Sequence, residues 1–115
     1  MFNKVEKERL LKLLGKIKDK TVIVEGARDK KILYSLGFTK IITVRHGPYG
    51  TATKIKDKEV CILTDFDRAG EELAKKLNLF LQSYGCKVDR FTRRKLKFMF
   101  VKLRLTAIED LKSLR

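Results

Sequence analysis

The sequence contains two short apolar runs that stop abruptly at acidic residues, Thr21-Val-Ile-Val-Glu25-Gly26 and Val60-Cys-Ile-Leu-Thr-Asp65-Phe-Asp67. Runs of β-branched and aliphatic residues without alternation are typical of strands that are buried on both faces of a parallel sheet. If both runs are strands of one open α/β sheet, their carboxyl ends lie on the same edge, where such sheets bind ligands. We therefore expect Glu25, Asp65 and Asp67 to converge at that edge.

The spacing of these acids favours a cation site. Asp65 and Asp67 lie two residues apart, so an extended backbone points both side chains the same way while Phe66 packs oppositely. Three close carboxylates without a fixed cationic partner repel one another, and a hard divalent cation is the simplest way to hold them together. A site made only of oxygen ligands favours Mg²⁺ or Mn²⁺ over Zn²⁺.

Two short motifs carry a family resemblance, Glu25-Gly26 at the end of one predicted strand and Asp65-x-Asp67-x-x-Gly70 at the end of another. Together they resemble the Toprim domain of topoisomerases, bacterial primases, OLD-type nucleases and the ribonuclease that matures small ribosomal RNA in bacteria. The resemblance covers about residues 20–91 and includes Asp29. A short stand-alone chain of this kind is similar to the small primase-like proteins of archaea and some bacteria.

The resemblance implies roles for individual residues. Asp65 and Asp67 would bind Mg²⁺, and Glu25 would complete the site as a ligand or as a general acid or base. Three further residues would support the site through the turns that follow the strands, namely Gly26, Asp29 and Gly70. Gly26 would take the tight turn after the first strand, and Gly70 lies where the chain enters a helix.

The whole chain, residues 1–115, is predicted to be a single Toprim-like domain of the three-layer, Rossmann-like α/β/α class. Four mainly parallel strands are expected in the sheet order 2-1-3-4, at about residues 21–25, 40–44, 59–64 and 86–91. Helices are expected at residues 3–18, 27–36 and 69–84. Residues 45–51 read as a loop over the acidic edge. Segment 92–115 is predicted to be basic and helical, with a capping box at Thr106 and Glu109.

The charge balance indicates a polyanionic partner. A net charge of +14 on 115 residues favours nucleic acid and leaves an anionic membrane surface as a distant second. A lysine-rich thermophile surface is the other interpretation, but its ion-pair networks need both signs of charge. The residues expected to contact nucleic acid are the basic ones near the acidic edge and in the basic segment, namely Arg28, Lys30, Lys31, Arg45, His46, Arg93, Arg94 and Lys95.

Cysteine usage and the first residues bear on location. Cys61 and Cys86 both fall in predicted strands without a metal-binding spacing, so we expect buried free thiols. The first residues carry charges where a secretory signal would need an apolar stretch, and no apolar run has the length of a membrane span. We therefore expect a cytoplasmic protein.

Several functions are compatible with this pattern. Toprim topoisomerases take their attacking tyrosine from another domain, and primases need further modules, so the resemblance implies a Mg²⁺-dependent nuclease with RNA favoured over DNA. The alternative is a non-catalytic nucleic-acid-binding or adaptor module of a ribosome- or replication-associated complex. A receiver-like phosphoacceptor would have a lysine where Asp89-Arg90-Phe91 stands, and receivers are seldom so basic. The acids could also be ordinary turn formers at strand ends.

Overall fold

A computed structural model describes residues 2–115 of the chain. Five α-helices alternate with four strands, and a 3₁₀ helix ends the fold. In chain order the elements are α1 (Lys4–Gly15), β1 (Thr21–Val24), α2 (Ala27–Ser35), β2 (Ile41–Thr43), α3 (Gly47–Lys54), β3 (Glu59–Ile62), α4 (Arg68–Ser83), β4 (Lys87–Val88), α5 (Arg90–Lys102) and the C-terminal 3₁₀ helix (Ile108–Leu114).

The four strands form one parallel sheet in the order β2-β1-β3-β4, which confirms the predicted order. Each strand lies within its predicted range. β1 and β3 are neighbours, with Val22 opposite Cys61 and Ile23 opposite Ile62. Glu25 and Asp65 therefore follow two adjacent strands at the same edge of the sheet.

Helices cover both faces of the sheet, so the predicted three-layer α/β/α class is confirmed. Alternate strand residues such as Val22 and Cys61 pack into a core with α1, α2, α5 and the 3₁₀ helix. The opposite alternation, including Ile23 and Ile62, packs against α3 and α4. Because the buried side chains of β1 and β3 pack against helices on both faces of the sheet, these strands read as continuous apolar runs rather than as alternating ones.

The predicted loop at residues 45–51 is wrong, because most of it belongs to α3 (Gly47–Lys54). Gly47 has a φ of +74°, which turns the chain into the helix at no steric cost. Pro48 lies in the first helical turn, where its missing N–H removes no hydrogen bond. The Thr51 hydroxyl then donates to the Gly47 carbonyl at 2.6 Å. The Gly-Pro pair marks a helix start here rather than a loop.

The predicted fourth strand, 86–91, is also too long. Only Lys87–Val88 pairs with β3, and α5 begins at Arg90. The Asp89 carboxylate accepts the backbone N–H of Thr92 at 3.0 Å and its hydroxyl at 2.7 Å. This side-chain cap satisfies the start of the helix and ends the strand.

The helical character of segment 92–115 agrees with the structure, but the capping box does not. The C-terminal helix begins at Ile108 and is a 3₁₀ helix rather than an α-helix. Its first turn is closed by Asp110, whose carboxylate accepts the backbone N–H of Ala107 at 3.3 Å. Thr106 and Glu109 therefore lack the predicted capping role.

The two cysteines are free and buried, as predicted, although Cys86 precedes β4 rather than lying in it. Among the helices of residues 2–115, none combines the length and the apolar character needed to cross a membrane.

Candidate functional site

The loop after β3 is built around a close contact between Asp65 and Gly70. A Cβ atom at Gly70 would lie 2.0 Å from the Asp65 carbonyl oxygen, so only glycine fits this position. Asp67 is the N-cap of α4, and its carboxylate accepts the Gly70 N–H at 2.7 Å. The buried Thr64 hydroxyl donates to the Gly70 carbonyl at 2.8 Å. The spacing Asp-x-Asp-x-x-Gly is thus the geometry of a strand that turns tightly into a capped helix.

Glu25 meets this loop from the neighbouring strand. Its carboxylate accepts the backbone N–H of Asp65 at 2.9 Å. Burial raises the pKa of the Glu25 carboxyl, and the charges of Asp65 and Asp67 raise it further, against the lowering effect of the hydrogen bond. The charges of Asp65 and Asp67 therefore act on Glu25, and we call these three carboxylates the acidic cluster.

A second segment closes the loop from the far end of the chain. The Ile108 N–H donates to the Asp65 carboxylate at 2.8 Å, and the Phe66 N–H donates to the Thr106 carbonyl at 2.7 Å. Sequence reasoning missed this support, because a backbone N–H 43 residues away leaves no signal in residue type. Arg104, at the turn before this segment, has a left-handed φ of 57°.

Asp29 holds the turn after β1. This buried side chain accepts the Gly26 N–H at 3.2 Å. Burial raises the pKa of the Asp29 carboxyl, and the negative charges of Asp65 and Glu109 add to the effect. Gly26 itself has a φ of −149°, which any residue can adopt, so the predicted need for glycine in this turn is not supported.

Arg93 lies inside the protein, which corrects its predicted exposure to nucleic acid. Its side chain is only 12% exposed. The guanidinium donates to the carbonyls of Ile62 at 3.0 Å and Thr64 at 2.9 Å, and its carbon lies 4.7 Å from the centre of the Phe66 ring. It also pairs with Glu71 at 2.5 Å. Arg93 thus braces the loop that carries the acidic cluster.

Glu71 was not singled out from the sequence, yet it links α4 to α5. Its carboxylate accepts a hydrogen bond from the Lys97 ammonium at 2.7 Å and another from the Arg93 guanidinium. Burial raises the pKa of Glu71, but hydrogen bonds from Lys97 and Arg93 outweigh it, so the pKa lies below the ordinary value. The only sequence signal was an acid in the first turn of a helix, which is common.

A basic cleft of about 630 Å³ opens beside Glu25, between α2 and α3. Its basic residues include three that the sequence analysis selected and one that it missed, namely Lys30, Arg45, His46 and Lys54. Arg28 is exposed and lies 4.0 Å from Glu109, and Lys31 is exposed on α2; neither lines the cleft. Tyr49, on α3, packs edge-on against Phe80 of α4 at 5.3 Å rather than facing the acids.

Arg94 and Lys95 are exposed on α5 and line a different groove, next to α1. The structure therefore divides the predicted basic residues among four places. One group lines the cleft beside Glu25, one pair is exposed on α2 outside the cleft, one residue is internal, and one pair belongs to a separate surface.

The donor set of the acidic cluster fits a hard divalent cation, although its side chains are not arranged around one. Within residues 2–115, no group of three or more Asp, Glu, His or Cys side chains is positioned to hold a metal ion. Among residues 2–115, no Lys or Arg forms an ion pair with any of the three carboxylates. A backbone N–H group donates to one oxygen of each carboxylate. Carboxylate oxygens are the ligand type that Mg²⁺ and Mn²⁺ prefer.

Comparison with known proteins supports the same family. A model of the Toprim domain matches residues 20–99. A UPF0292 protein of Pyrococcus abyssi is 50% identical over 99 residues, which are 84% of this chain and 74% of that protein. A UPF0292 protein of Pyrococcus horikoshii is 51% identical over 96 residues, or 81% and 72% of the two chains.

A solved structure of a protein from Aquifex aeolicus is similar with a TM-score of 0.73 and 27% sequence identity, covering 96% of this chain and 99% of that one. The family model spans most of the sequence, including both motifs that follow β1 and β3. On these findings, the chain belongs to the Toprim domain family.

Proposed function

We propose that this protein is a Mg²⁺-dependent nuclease that hydrolyses phosphodiester bonds, with RNA favoured over DNA. The Toprim domain indicates the general part of this function, which is metal binding in association with nucleic acid. The observation that carries the specific part is the contact of Glu25 with Asp65 at the edge of the basic cleft. The proposal includes a cytoplasmic location, which the two free cysteines support.

The electrostatics of the site favour a cation. In a chain with a net charge of +14, the acidic cluster is a local concentration of negative charge without a Lys or Arg partner among residues 2–115. Burial raises the pKa of Glu25 most, and the charges of Asp65 and Asp67 raise it further, so a cation beside Glu25 would favour its ionised form. Glu25, Asp65 and Asp67 would hold Mg²⁺, which when bound would neutralise the charge that builds up on phosphate oxygens during bond cleavage.

The residues of the basic cleft supply the other requirement, which is to place the phosphodiester backbone. Lys30, Arg45 and His46 line the cleft together with Glu25, so a phosphate bound there lies beside the acidic cluster. Arg93 and the Ile108 N–H hold the Asp65 loop in place. This support keeps the acids at fixed positions, which a reaction at a defined bond requires.

A second function, that of a non-catalytic nucleic-acid-binding or adaptor module, is favoured by a specific observation. All three members of the acidic cluster accept backbone N–H groups, so each has a structural role in the turns. The described residues also lack a side-chain group positioned for metal. An adaptor would keep the acids for the fold and use only the basic surface.

The experiment that separates these functions is a pair of assays on wild type and Asp67→Asn. Asparagine caps helices about as well as aspartate, so the variant should fold, and its removal of one repelling charge should not lower apo stability. Wild type should be stabilised by Mg²⁺, by about 2.7 kcal/mol at a hundredfold excess over Kd. It should also cleave labelled RNA, and Asp67→Asn should lose both properties while still binding nucleic acid.

Asp19→Asn is the matched control, because Asp19 is an exposed acid outside the cluster. It should behave as wild type in both assays. If wild type shows neither Mg²⁺-dependent stabilisation nor cleavage of RNA or DNA, the adaptor function becomes the better one. Cleavage retained in Asp67→Asn would show that the chemistry lies elsewhere.

A further inference from the structure

A groove of about 570 Å³ runs between α1 and α5, away from the residues that line the basic cleft. Leu13 and Met99 line it together with two large rings, Phe91 and Phe98, which are 63% and 62% exposed. Neither ring is part of the hydrophobic core, in which Leu96 and Phe100 are the fully buried side chains of α5. Exposed apolar surface of this kind, rimmed by charge, marks interaction sites.

The charged side chains that line the groove are all positive. Five exposed cations line the groove, and none of them forms an ion pair within residues 2–115. They are Arg9, Lys12 and Lys16 from α1 and Arg94 and Lys95 from α5. No acidic side chain lines the groove. A surface that stabilised the fold through ion pairs would carry both signs, so this one complements an anionic ligand.

The arrangement of rings and cations selects among anionic ligands. The Lys95 ammonium lies 4.6 Å from the centre of the Phe91 ring, and the Lys102 ammonium lies at the same distance from Phe98. A ligand that places an apolar plane on each ring therefore brings its negative charge next to a cation. Single-stranded nucleic acid has this alternation, with flat bases on a phosphate backbone.

A duplex fits this surface less well. Its bases already stack on one another and are paired, so their faces cannot lie on a side chain. Phe91 and Phe98 are seven residues apart, which separates them by about 10.5 Å along α5. That is about three times the 3.4 Å rise per base of a stacked strand, so each ring would take a separate base from an unpaired strand.

We propose that the α1–α5 groove binds single-stranded nucleic acid, with bases stacked on Phe91 and Phe98 and phosphates held by the five cations. The inference rests on the nucleic-acid association of the proposed function but not on cleavage at the acidic cluster. Binding measured without metal therefore tests the groove alone, whereas cleavage tests the acidic cluster.

The test measures binding of a labelled single-stranded oligonucleotide in EDTA, with 2-aminopurine as a fluorescent base that reports stacking. Phe91→Leu and Phe98→Leu keep an apolar side chain but remove the ring, so each should weaken binding roughly 5- to 150-fold and reduce the stacking signal. Tyr34→Leu is the matched control, since Tyr34 is 70% exposed on α2 and does not line the groove. It should bind as wild type.

A separate double variant tests the role of the cations that line the groove. Arg94→Gln with Lys95→Gln should weaken binding and make the salt dependence shallower, by about 1.4 in the slope of log K against log salt. Lys56→Gln with Lys58→Gln changes the net charge equally at exposed positions outside the groove, and it should leave the slope nearly unchanged.

Three results would overturn the proposal. The first is unchanged binding and stacking in both leucine variants, with circular dichroism showing a native fold. The second is equal affinity for a duplex of the same length. The third is binding to phosphatidylserine vesicles, retained by the leucine variants, without binding to the oligonucleotide, which would make the groove a membrane surface.

Discussion

The internal position of Arg93 makes the sharpest prediction about stability. Arg93→Met keeps an apolar stem but removes the guanidinium from the carbonyls of Ile62 and Thr64, which belong to residues 1% and 0% exposed. A buried acceptor left without its donor costs about 1–3 kcal/mol. Loss of the ion pair with Glu71 adds less to this destabilisation, because Glu71 is 30% exposed and still pairs with Lys97. We therefore expect the free energy of unfolding to fall by about 2–4 kcal/mol.

Unfolding in guanidinium chloride, followed by circular dichroism, measures this loss of stability. Arg94→Met is the control. Arg94 is the next residue on α5, but it is exposed and forms no ion pair within residues 2–115. Its replacement should change stability by less than about 0.5 kcal/mol. Binding to single-stranded nucleic acid should show the opposite ranking, with Arg94→Met weaker than Arg93→Met under conditions where both are folded. Equal stability of the two variants, with Arg93→Met the weaker binder, would refute the internal role.

The same contact predicts a pH dependence. The pKa of Glu71 lies below its ordinary value of 4.5 in the folded protein, so its ionised form is favoured by folding. The stability that this adds is present above pH 4.5 and is lost as the pH falls through the lower folded pKa. Glu71→Gln should therefore lose less stability than wild type between pH 5 and pH 3, in the same denaturation assay. Parallel curves for the two proteins would contradict the assigned cause.

Three further predictions follow from single positions. Gly70→Ala should cost about 1–3 kcal/mol in the same assay, because its Cβ would overlap the Asp65 carbonyl, whereas Gly15→Ala has open space and should not destabilise the protein. Arg104→Gly should raise the thermal midpoint, since it relieves a left-handed φ of 57° at a cost of roughly 1–2 kcal/mol to a non-glycine residue. Burial raises the pKa of Cys61 to about 12, so Ellman's reagent should modify this thiol only after unfolding; rapid reaction of the native protein would contradict its burial.

Residue type and spacing were enough to predict the fold class and the acids that follow β1 and β3. The runs before Glu25 and Asp65 are apolar on both faces, which only a sheet covered by two helical layers accommodates. The expected strand order, with β1 beside β3, agrees with the structure, and the position of Gly70 followed from its spacing to Asp67. These are short-range properties, so residue type and spacing were sufficient.

Competition between alternative local structures explains why two of the predicted element boundaries were wrong. At residues 45–51 the Gly-Pro pair was compatible with a loop or with a helix start, and packing of α3 on α4 selected the helix. At Asp89 a side-chain cap stopped the strand earlier than its apolar pattern indicated. Both outcomes depend on one or two hydrogen bonds that a pattern of residue types does not contain.

The surroundings of each basic residue, in contrast, depend on how the chain folds. Arg93, Arg94 and Lys95 are consecutive and chemically alike in the sequence, yet one is internal and two are exposed on α5. The helix turns each residue about 100° from the last, so neighbours in sequence face different surroundings. Which direction meets the sheet depends on how α5 packs against β3 and α1, and therefore on contacts between segments distant in sequence. For the same reason the backbone N–H of Ile108, which holds Asp65, could be found only in the folded chain.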